Sequence, residues 1–183
     1  MCISDKENLK LIKNFTNEGV VAALKEMGPT KASGENSFLA IFFQQFWHIV
    51  GVEVTDYYLG ILNRGMFVDR CNFTNIVFIP KFSNPMNLGN FRLISLCNVL
   101  CKIVAKMIVN RFKSIISSCS DGAQSAFGPD RLILDNMFLA YEIFHTFRQK
   151  KFGKKGFMAL KLDMSKAYDR VEWYFLKALM LRM

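Results

Sequence analysis

The chain has 183 residues and a formal net charge of +9, with 51% hydrophobic and 21% charged residues. This composition is typical of a folded globular protein and argues against a disordered chain. The longest uninterrupted apolar run, residues 38–43, is far shorter than a membrane span, and the first residues lack the apolar core of a signal peptide.

The predicted elements form an α+β fold that is rich in helices. Apolar residues recur at helical spacing before the breaker Gly28-Pro29, and a short β-branched run ends at Pro80. The predicted helices span residues 5–27, 38–62, 98–118, 132–149 and 169–182, and the predicted strands span residues 75–79 and 157–164.

Two of the predicted helices are amphipathic. In the helix 98–118, Ile103 and Met107 lie on the apolar face. The opposite face is expected to be solvated and carries Lys102, Lys106 and Lys113. In the helix 132–149, the residues expected on the buried side are Leu134, Met137, Phe138, Tyr141 and Phe144.

The positive charge is concentrated in the C-terminal part of the chain. Residues 1–71 carry 7 Lys and Arg against 8 Asp and Glu, whereas residues 72–183 carry 17 against 7. The resulting net charge of +10 in the second part favours contact with a polyanion such as nucleic acid. The residues themselves give no indication of an oligomeric state.

The cysteine and histidine contents argue against two further classes of protein. The five cysteines are scattered without a C-x-x-C spacing, and only two histidines occur. A disulfide-stabilised secreted fold and a zinc site are therefore both disfavoured. We expect an intracellular protein of the nucleus or cytoplasm that does not associate with membranes and has no recognisable targeting segment.

One acidic residue is unusually placed for a structural role. In the predicted strand 157–164, alternation puts apolar side chains on one face and Asp163 on the other, near the C-terminal end. Spacing alone leaves two interpretations open, an ordinary strand-end acid or a ligand in a cleft. For the nearby Asp169 the spacing favours a helix cap over a metal role, because Glu172 follows it at capping-box spacing.

Four sequence blocks carry a family resemblance. In chain order they are KASGENSFLAIFFQQFW, IPKFSNPMNLGNFRLISLCN, AQSAFGPDRLILDN and KLDMSKAYDRVEW. Together they resemble the reverse transcriptase of LINE-type non-LTR retrotransposons, in the form abundant in plant genomes. The resemblance extends from about residue 15 to residue 183 and follows the order of the family's blocks.

The resemblance implies part of a right-hand polymerase, with the fold incomplete. Residues 1–71 would be a helical region upstream of the fingers, residues 72–156 the fingers, and residues 157–183 the start of the palm. Asp163 would be the first acid of motif A, a catalytic residue that binds Mg²⁺. Two such ions promote nucleotidyl transfer in polymerases.

The resemblance also assigns nucleotide and nucleic-acid contacts. Lys81 and Arg92 would contact nucleotide phosphates or template, and an arginine suits phosphate because its planar fork pairs with two oxygens. Tyr168 would lie beneath the incoming sugar and oppose a 2′-hydroxyl. Arg131 would contact the template side. The implied partners are an RNA template, a DNA primer and deoxynucleoside triphosphates.

Several departures from the family pattern limit these expectations. Asn90 and Leu93 replace the acid and proline of the usual DFRP, and Asp130 replaces a glycine. The sequence contains no adjacent pair of aspartates, although the family's second acidic motif has one. We therefore predict that this chain lacks the second motif and the thumb and is inactive alone.

Two other functions follow from different features of the same sequence. The basic part of the chain would suit a residual nucleic-acid-binding module without catalysis. The aromatic stretch from Phe38 to Trp47, expected in the core, would serve an interaction protein if it were exposed.

Overall fold

The structure is a computed structural model that describes residues 3–34, 38–66, 73–121, 124, 131–150, 156, 158–162, 167 and 170–182. These residues form an α+β arrangement of helices and one two-stranded sheet, which agrees with the predicted mixture of elements. The helices are α1 (Asp5–Ile12), α2 (Asn17–Lys25), α3 (Ala40–Gln45), α4 (Trp47–Arg64), α5 (Val99–Lys113), α6 (Ile116–Cys119), α7 (Ile133–Gln149) and α8 (Trp173–Arg182). The strands are β1 (Thr74–Pro80) and β2 (Phe91–Cys97).

The chain forms two compact units. One contains Leu9–Phe112, and the other contains Met1–Asn8 together with Lys113–Met183. The predicted boundary at residue 71 falls in the range 67–72, outside the described residues, and stays a prediction. None of the described helices has the length and hydropathy needed to cross a membrane.

The predicted helix 5–27 is wrong as a single element, because the chain breaks between α1 and α2. Thr16 begins α2, and its hydroxyl oxygen accepts a hydrogen bond from the backbone N–H of Gly19 at 3.4 Å. A hydrogen bond from the Thr16 side chain and, to a smaller extent, one from the backbone of Glu18 itself keep the pKa of Glu18 below its ordinary value. The ionised Glu18 therefore supports the start of the helix, and this support weakens as the pH falls towards that lowered pKa.

Phe15 connects the break between α1 and α2 to α4 and α5. Its backbone N–H donates to Asn63 Oδ1 at 2.8 Å, and its carbonyl accepts from Asn63 Nδ2 at 3.0 Å. The Arg111 guanidinium lies 3.2 Å above the centre of the Phe15 ring and also donates to the carbonyl of Leu11 at 2.9 Å. Burial lowers the pKa of Arg111. These contacts join residues that are far apart in the sequence, so local patterns do not indicate them. They hold the segment between α1 and α2 in a non-helical conformation.

We expect Asn63→Ala to lower the free energy of unfolding by about 1–2 kcal/mol, because it removes two hydrogen bonds of about 1 kcal/mol each. Urea unfolding followed by circular dichroism measures this change. Asn8→Ala is the control, because Asn8 is an exposed asparagine whose side chain makes no hydrogen bond with the described residues. Equal losses of stability for Asn63→Ala and Asn8→Ala would contradict the proposed role of the Asn63 side chain.

The predicted helix 38–62 is also divided into two helices. Phe46 leaves helical geometry with φ −100° and ψ 22°, so α3 ends there and α4 begins at Trp47. Gly65 ends α4 in the left-handed conformation with φ 66°, which favours glycine. Phe43 of the predicted aromatic core is buried, but Phe46 is 42% exposed.

The core of the unit Leu9–Phe112 lies among α2, α3, α4 and α5. Its buried members are Val20, Ala23, Leu24, Ala40, Phe43, Tyr58, Val99, Ile103 and Met107. The predicted packing of Ile103 and Met107 is therefore confirmed, although α5 ends at Lys113, before residue 118. The solvated lysine face is only partly confirmed, because Lys102 and Lys106 are half-buried.

The two strands form an antiparallel hairpin. The predicted strand 75–79 is confirmed as part of β1, and its partner β2 is the run FRLISLC. The register pairs Thr74 with Cys97 at one end and Pro80 with Phe91 at the other. The hairpin thereby leads directly into α5.

In the unit that contains Lys113–Met183, the predicted helix 132–149 is confirmed as α7, but its predicted burial is wrong. The five apolar residues expected on the buried side are 52–70% exposed, and α7 has no buried residue. An amphipathic pattern predicts a face suited to packing, yet no element in the described part of the chain covers this one. The last helix, α8, begins at Trp173 and not at the predicted residue 169. Asp169, the predicted cap, lies outside the described residues.

The predicted strand 157–164 does not form over the residues 158–162 that the structure describes. Met158, Leu160 and Leu162 are 86%, 73% and 83% exposed. A strand needs a hydrogen-bonded neighbour, and the described sheet contains only β1 and β2. Alternation of apolar residues was therefore insufficient to predict a strand here.

Candidate functional site

The hairpin ends in a turn that carries Lys81. Asn84 adopts the left-handed conformation with φ 61°, which asparagine tolerates better than most residues, and a short 3₁₀ turn spans Leu88–Asn90. The backbone N–H of Lys81 donates to the carbonyl of Asn90 at 2.8 Å, so the pairing continues one residue beyond the strands. This geometry holds the two sides of the turn together.

Lys81 closes the same turn with its side chain. Its Nζ donates to the carbonyl of Gly89 at 2.7 Å. The lysine that the resemblance assigns to phosphate therefore has a structural contact in this conformation. Its ammonium group remains exposed at the surface, where a second partner can approach it.

Arg92, unlike Lys81, does not use its charged group to hold the turn. It lies opposite Ile79 in the register, is exposed, and makes no hydrogen bond or ion pair with the residues that the structure describes. Its planar guanidinium, with five N–H donors, is available to an anion. By continuation of the register, Lys81 lies opposite Asn90 and diagonally from Arg92 on one face of the hairpin.

Both faces of the hairpin carry exposed apolar side chains. On the face that carries Arg92, Val77 and Ile79 are 40% and 46% exposed, and on the other face Phe78 and Leu93 are 50% and 56% exposed. An isolated two-stranded hairpin is marginally stable in water, so such a surface is suited to a partner that covers it.

A loop packs against the base of the hairpin, a contact that the sequence analysis missed. The N–H of Gly34 donates to the carbonyl of Cys97 at 3.1 Å, and Lys102 Nζ donates to the carbonyl of Ala32 at 2.6 Å. Asn98, at the junction of β2 and α5, is only 2% exposed beneath this loop. The KASG block is thus attached to the block that contains FRLISL, although about sixty residues separate them in the sequence.

Arg131 lies in the other compact unit and holds a turn. Its Nη1 donates to the carbonyl of Asp121 at 2.8 Å and to the carbonyl of Gln124. Arg131 is half-buried and precedes α7. The structure therefore gives it a local role, and its predicted contact with template stays a prediction.

The two remaining site residues, Asp163 and Tyr168, lie outside the described residues, so their predicted roles are not tested. Within the described ranges, no group of three or more His, Cys, Asp or Glu side chains is arranged to hold a metal ion. Of the three predicted site residues that the structure describes, Lys81 and Arg92 lie together on the hairpin, and Arg131 lies in the other unit.

Comparison with known proteins gives two similarities. A family described as "Reverse transcriptase (RNA-dependent DNA polymerase)" matches residues 79–182, a range that contains all five predicted site residues. The "Transposon TX1 uncharacterized 149 kDa protein" of Xenopus laevis is 29% identical over 174 residues, which are 95% of this chain. The chain spans 13% of the length of that relative.

Proposed function

Because the chain belongs to the reverse transcriptase family, we propose that it forms part of the RNA-directed DNA polymerase of a LINE-type retrotransposon. The observation that carries this proposal is the family match over residues 79–182, which contains the end of β1, the whole of β2 and the five predicted site residues. In this proposal the hairpin belongs to the fingers of a right-hand polymerase. Residues 157–183 belong to the start of its palm.

The exposed guanidinium of Arg92 is the best-supported substrate contact. Arg92 has no partner among the described residues, and a triphosphate offers the paired oxygens that its planar fork can bind. Lys81, on the same face, already holds the turn through Gly89 and would contribute its remaining donors to the same phosphates. We infer that this face of the hairpin contacts the triphosphate of an incoming nucleotide.

Asp163 and Tyr168 complete the proposed site. Asp163 would hold Mg²⁺, which, when bound, stabilises the charge that develops during in-line transfer at a phosphate. No described cluster offers a competing metal site, and a carboxylate is a ligand type that Mg²⁺ accepts. The ring of Tyr168 would exclude the 2′-hydroxyl of a ribonucleotide and thereby favour deoxynucleotides.

The proposed polymerase is inactive in the form of this chain alone. The sequence lacks an adjacent aspartate pair, and one carboxylate from Asp163 does not neutralise two divalent ions. RNA template and DNA primer are the proposed partners. If catalysis is absent altogether, the basic residues 72–183 support a second candidate function, binding of nucleic acid with a steep dependence on salt.

The experiment that tests the proposal is primer extension on an RNA template. It uses a polypeptide that continues from this chain through a complete reverse transcriptase domain. We expect Arg92→Gln to lower kcat/KM for deoxynucleoside triphosphates about tenfold, the effect of losing a hydrogen bond to a charged group. Arg92→Lys should recover part of this loss, because it restores the charge without the fork.

Arg64→Gln is the matched control for this measurement. Arg64 is an exposed arginine at the end of α4, so its replacement removes the same charge outside the hairpin. Equal values of kcat/KM for Arg92→Gln and Arg64→Gln would reject the proposed triphosphate contact. Absence of extension by the unsubstituted polypeptide would reject the polymerase function itself.

A further inference from the structure

A small basic cavity lies between the end of α2 and the start of α5. Its volume is about 260 Å³. Met27, Ala40 and Val99 give it an apolar floor. Its charged lining consists of Lys31, Lys102, Lys106 and Glu26. We call it the lysine pocket, and all of these residues lie in the unit Leu9–Phe112.

Two of the lysines are held in place by the protein. Lys106 Nζ lies 2.8 Å from Glu26 Oε2, and Lys102 Nζ donates to the carbonyl of Ala32 at 2.6 Å. An ammonium group has three N–H donors, so each lysine keeps donors that a ligand can use. Two cations are therefore fixed at the rim before any ligand arrives, and both side chains are half-buried.

Lys31 supplies a third cation. Its side chain makes no hydrogen bond or ion pair with the described residues, and its stem lies along Gly28. A Cβ placed on Gly28 would lie 3.1 Å from two carbons of that stem, so the glycine leaves room for the lysine. Among the described residues that line the pocket, three lysines stand against one glutamate, so their net charge is positive.

We propose that the lysine pocket binds one phosphate group. Its volume is below the range of about 300–1,000 Å³ typical of sites for larger ligands, which favours a compact anion over a whole nucleotide. The three ammonium groups suit a phosphate, which a lysine binds as a point charge. The phosphate has two possible sources, the backbone of a nucleic-acid strand or a free anion such as pyrophosphate.

The test measures binding of two probes to the whole chain. The probes are a fluorescent single-stranded oligothymidylate, titrated at several salt concentrations, and pyrophosphate, titrated by calorimetry. Lys31→Gln is the main variant, because it removes a charge without removing a described contact. Lys13→Gln is its matched control, since Lys13 is an exposed lysine of the same unit outside the pocket.

For a strand phosphate, we expect Lys31→Gln to weaken oligothymidylate binding severalfold. The slope of log K against log salt should fall by about 0.7, the value for one contact to a single strand. Lys13→Gln should leave the slope unchanged. Glu26→Gln should act in the opposite direction and strengthen binding, because it removes the acid that pairs with Lys106 in the described lining.

For a free anion, Lys31→Gln should weaken and Glu26→Gln should strengthen the binding of pyrophosphate, whereas Lys13→Gln should leave it unchanged. Oligothymidylate binding should be unaltered in all three variants. If Lys31→Gln and Lys13→Gln behave alike with both probes, the lysine pocket is not a phosphate site. Neither outcome depends on primer extension, so failure of this proposal is distinguishable from failure of the polymerase function. Circular dichroism of each variant verifies that the fold is retained.

Discussion

Replacement of Asp163 by asparagine is expected to abolish most primer extension in a polypeptide that contains this chain and a complete reverse transcriptase domain. The substitution preserves the size of the side chain and removes the negative charge that a divalent ion requires. Loss of metal-assisted stabilisation worth several kcal/mol corresponds to a reduction in kcat of roughly a hundredfold or more. Steady-state extension of a labelled primer on an RNA template measures the effect.

Asp169→Asn is the matched control for Asp163→Asn. It makes the same chemical change six residues further along the KLDMSKAYDRVEW block, at a position without a proposed metal role. Its kcat is expected to stay close to that of the unsubstituted polypeptide. Unchanged extension by Asp163→Asn would remove this residue from the proposed site, whatever the activity of the control.

Gly34→Ala is expected to lower the free energy of unfolding by about 1–3 kcal/mol, the usual cost of overpacking a tight site. A Cβ at this position would lie 2.5 Å from Asn98 Oδ1, 2.8 Å from the carbonyl oxygen of Leu96 and 2.9 Å from the backbone nitrogen of Asn98. Because two of these three atoms belong to the backbone, a side-chain rotation cannot relieve the contacts. The loop must move away from the base of the hairpin.

Gly89→Ala provides the comparison for Gly34→Ala. A Cβ on Gly89 meets no atom within 4 Å, and the position does not have the positive φ that disfavours alanine. Urea unfolding should therefore show a change of only a few tenths of a kcal/mol for Gly89→Ala, because the substitution also reduces the freedom of the unfolded chain. Equal free energies of unfolding for the two variants would contradict the prediction, because they would show that the loop accommodates a Cβ at residue 34 without loss of stability.

Local patterns in the sequence predicted element types better than element ends. The apolar spacing of Ile103 and Met107 correctly predicted a buried helix face, and Pro80 correctly marked the end of a strand. The break before α2 had a readable signal in Thr16, a residue that favours the start of a helix. The break at Phe46 had none, because the neighbouring residues Gln45 and Trp47 are neither glycine, proline nor a preferred capping residue.

Contacts between distant segments account for what the sequence did not predict about the site. Nothing near Lys81 indicated that its ammonium group would hold the carbonyl of Gly89, and nothing near Lys102 indicated Ala32. The apolar face of α7 shows a second limit of sequence patterns. The pattern indicated a surface suited to packing, but the predicted burial is wrong, because burial requires a partner that the described part of the chain does not supply.

The hairpin and the Phe15 attachment must form at different times during synthesis of the chain. The widest pair of the hairpin, Thr74 with Cys97, is separated by 23 residues, so the ribbon can close within microseconds after β2 is synthesised. The contact of Arg111 with Leu11 spans 100 residues and requires α5 to be present. The N-terminal helices therefore wait for α5 before their final packing, whereas the hairpin can form earlier as a marginally stable ribbon.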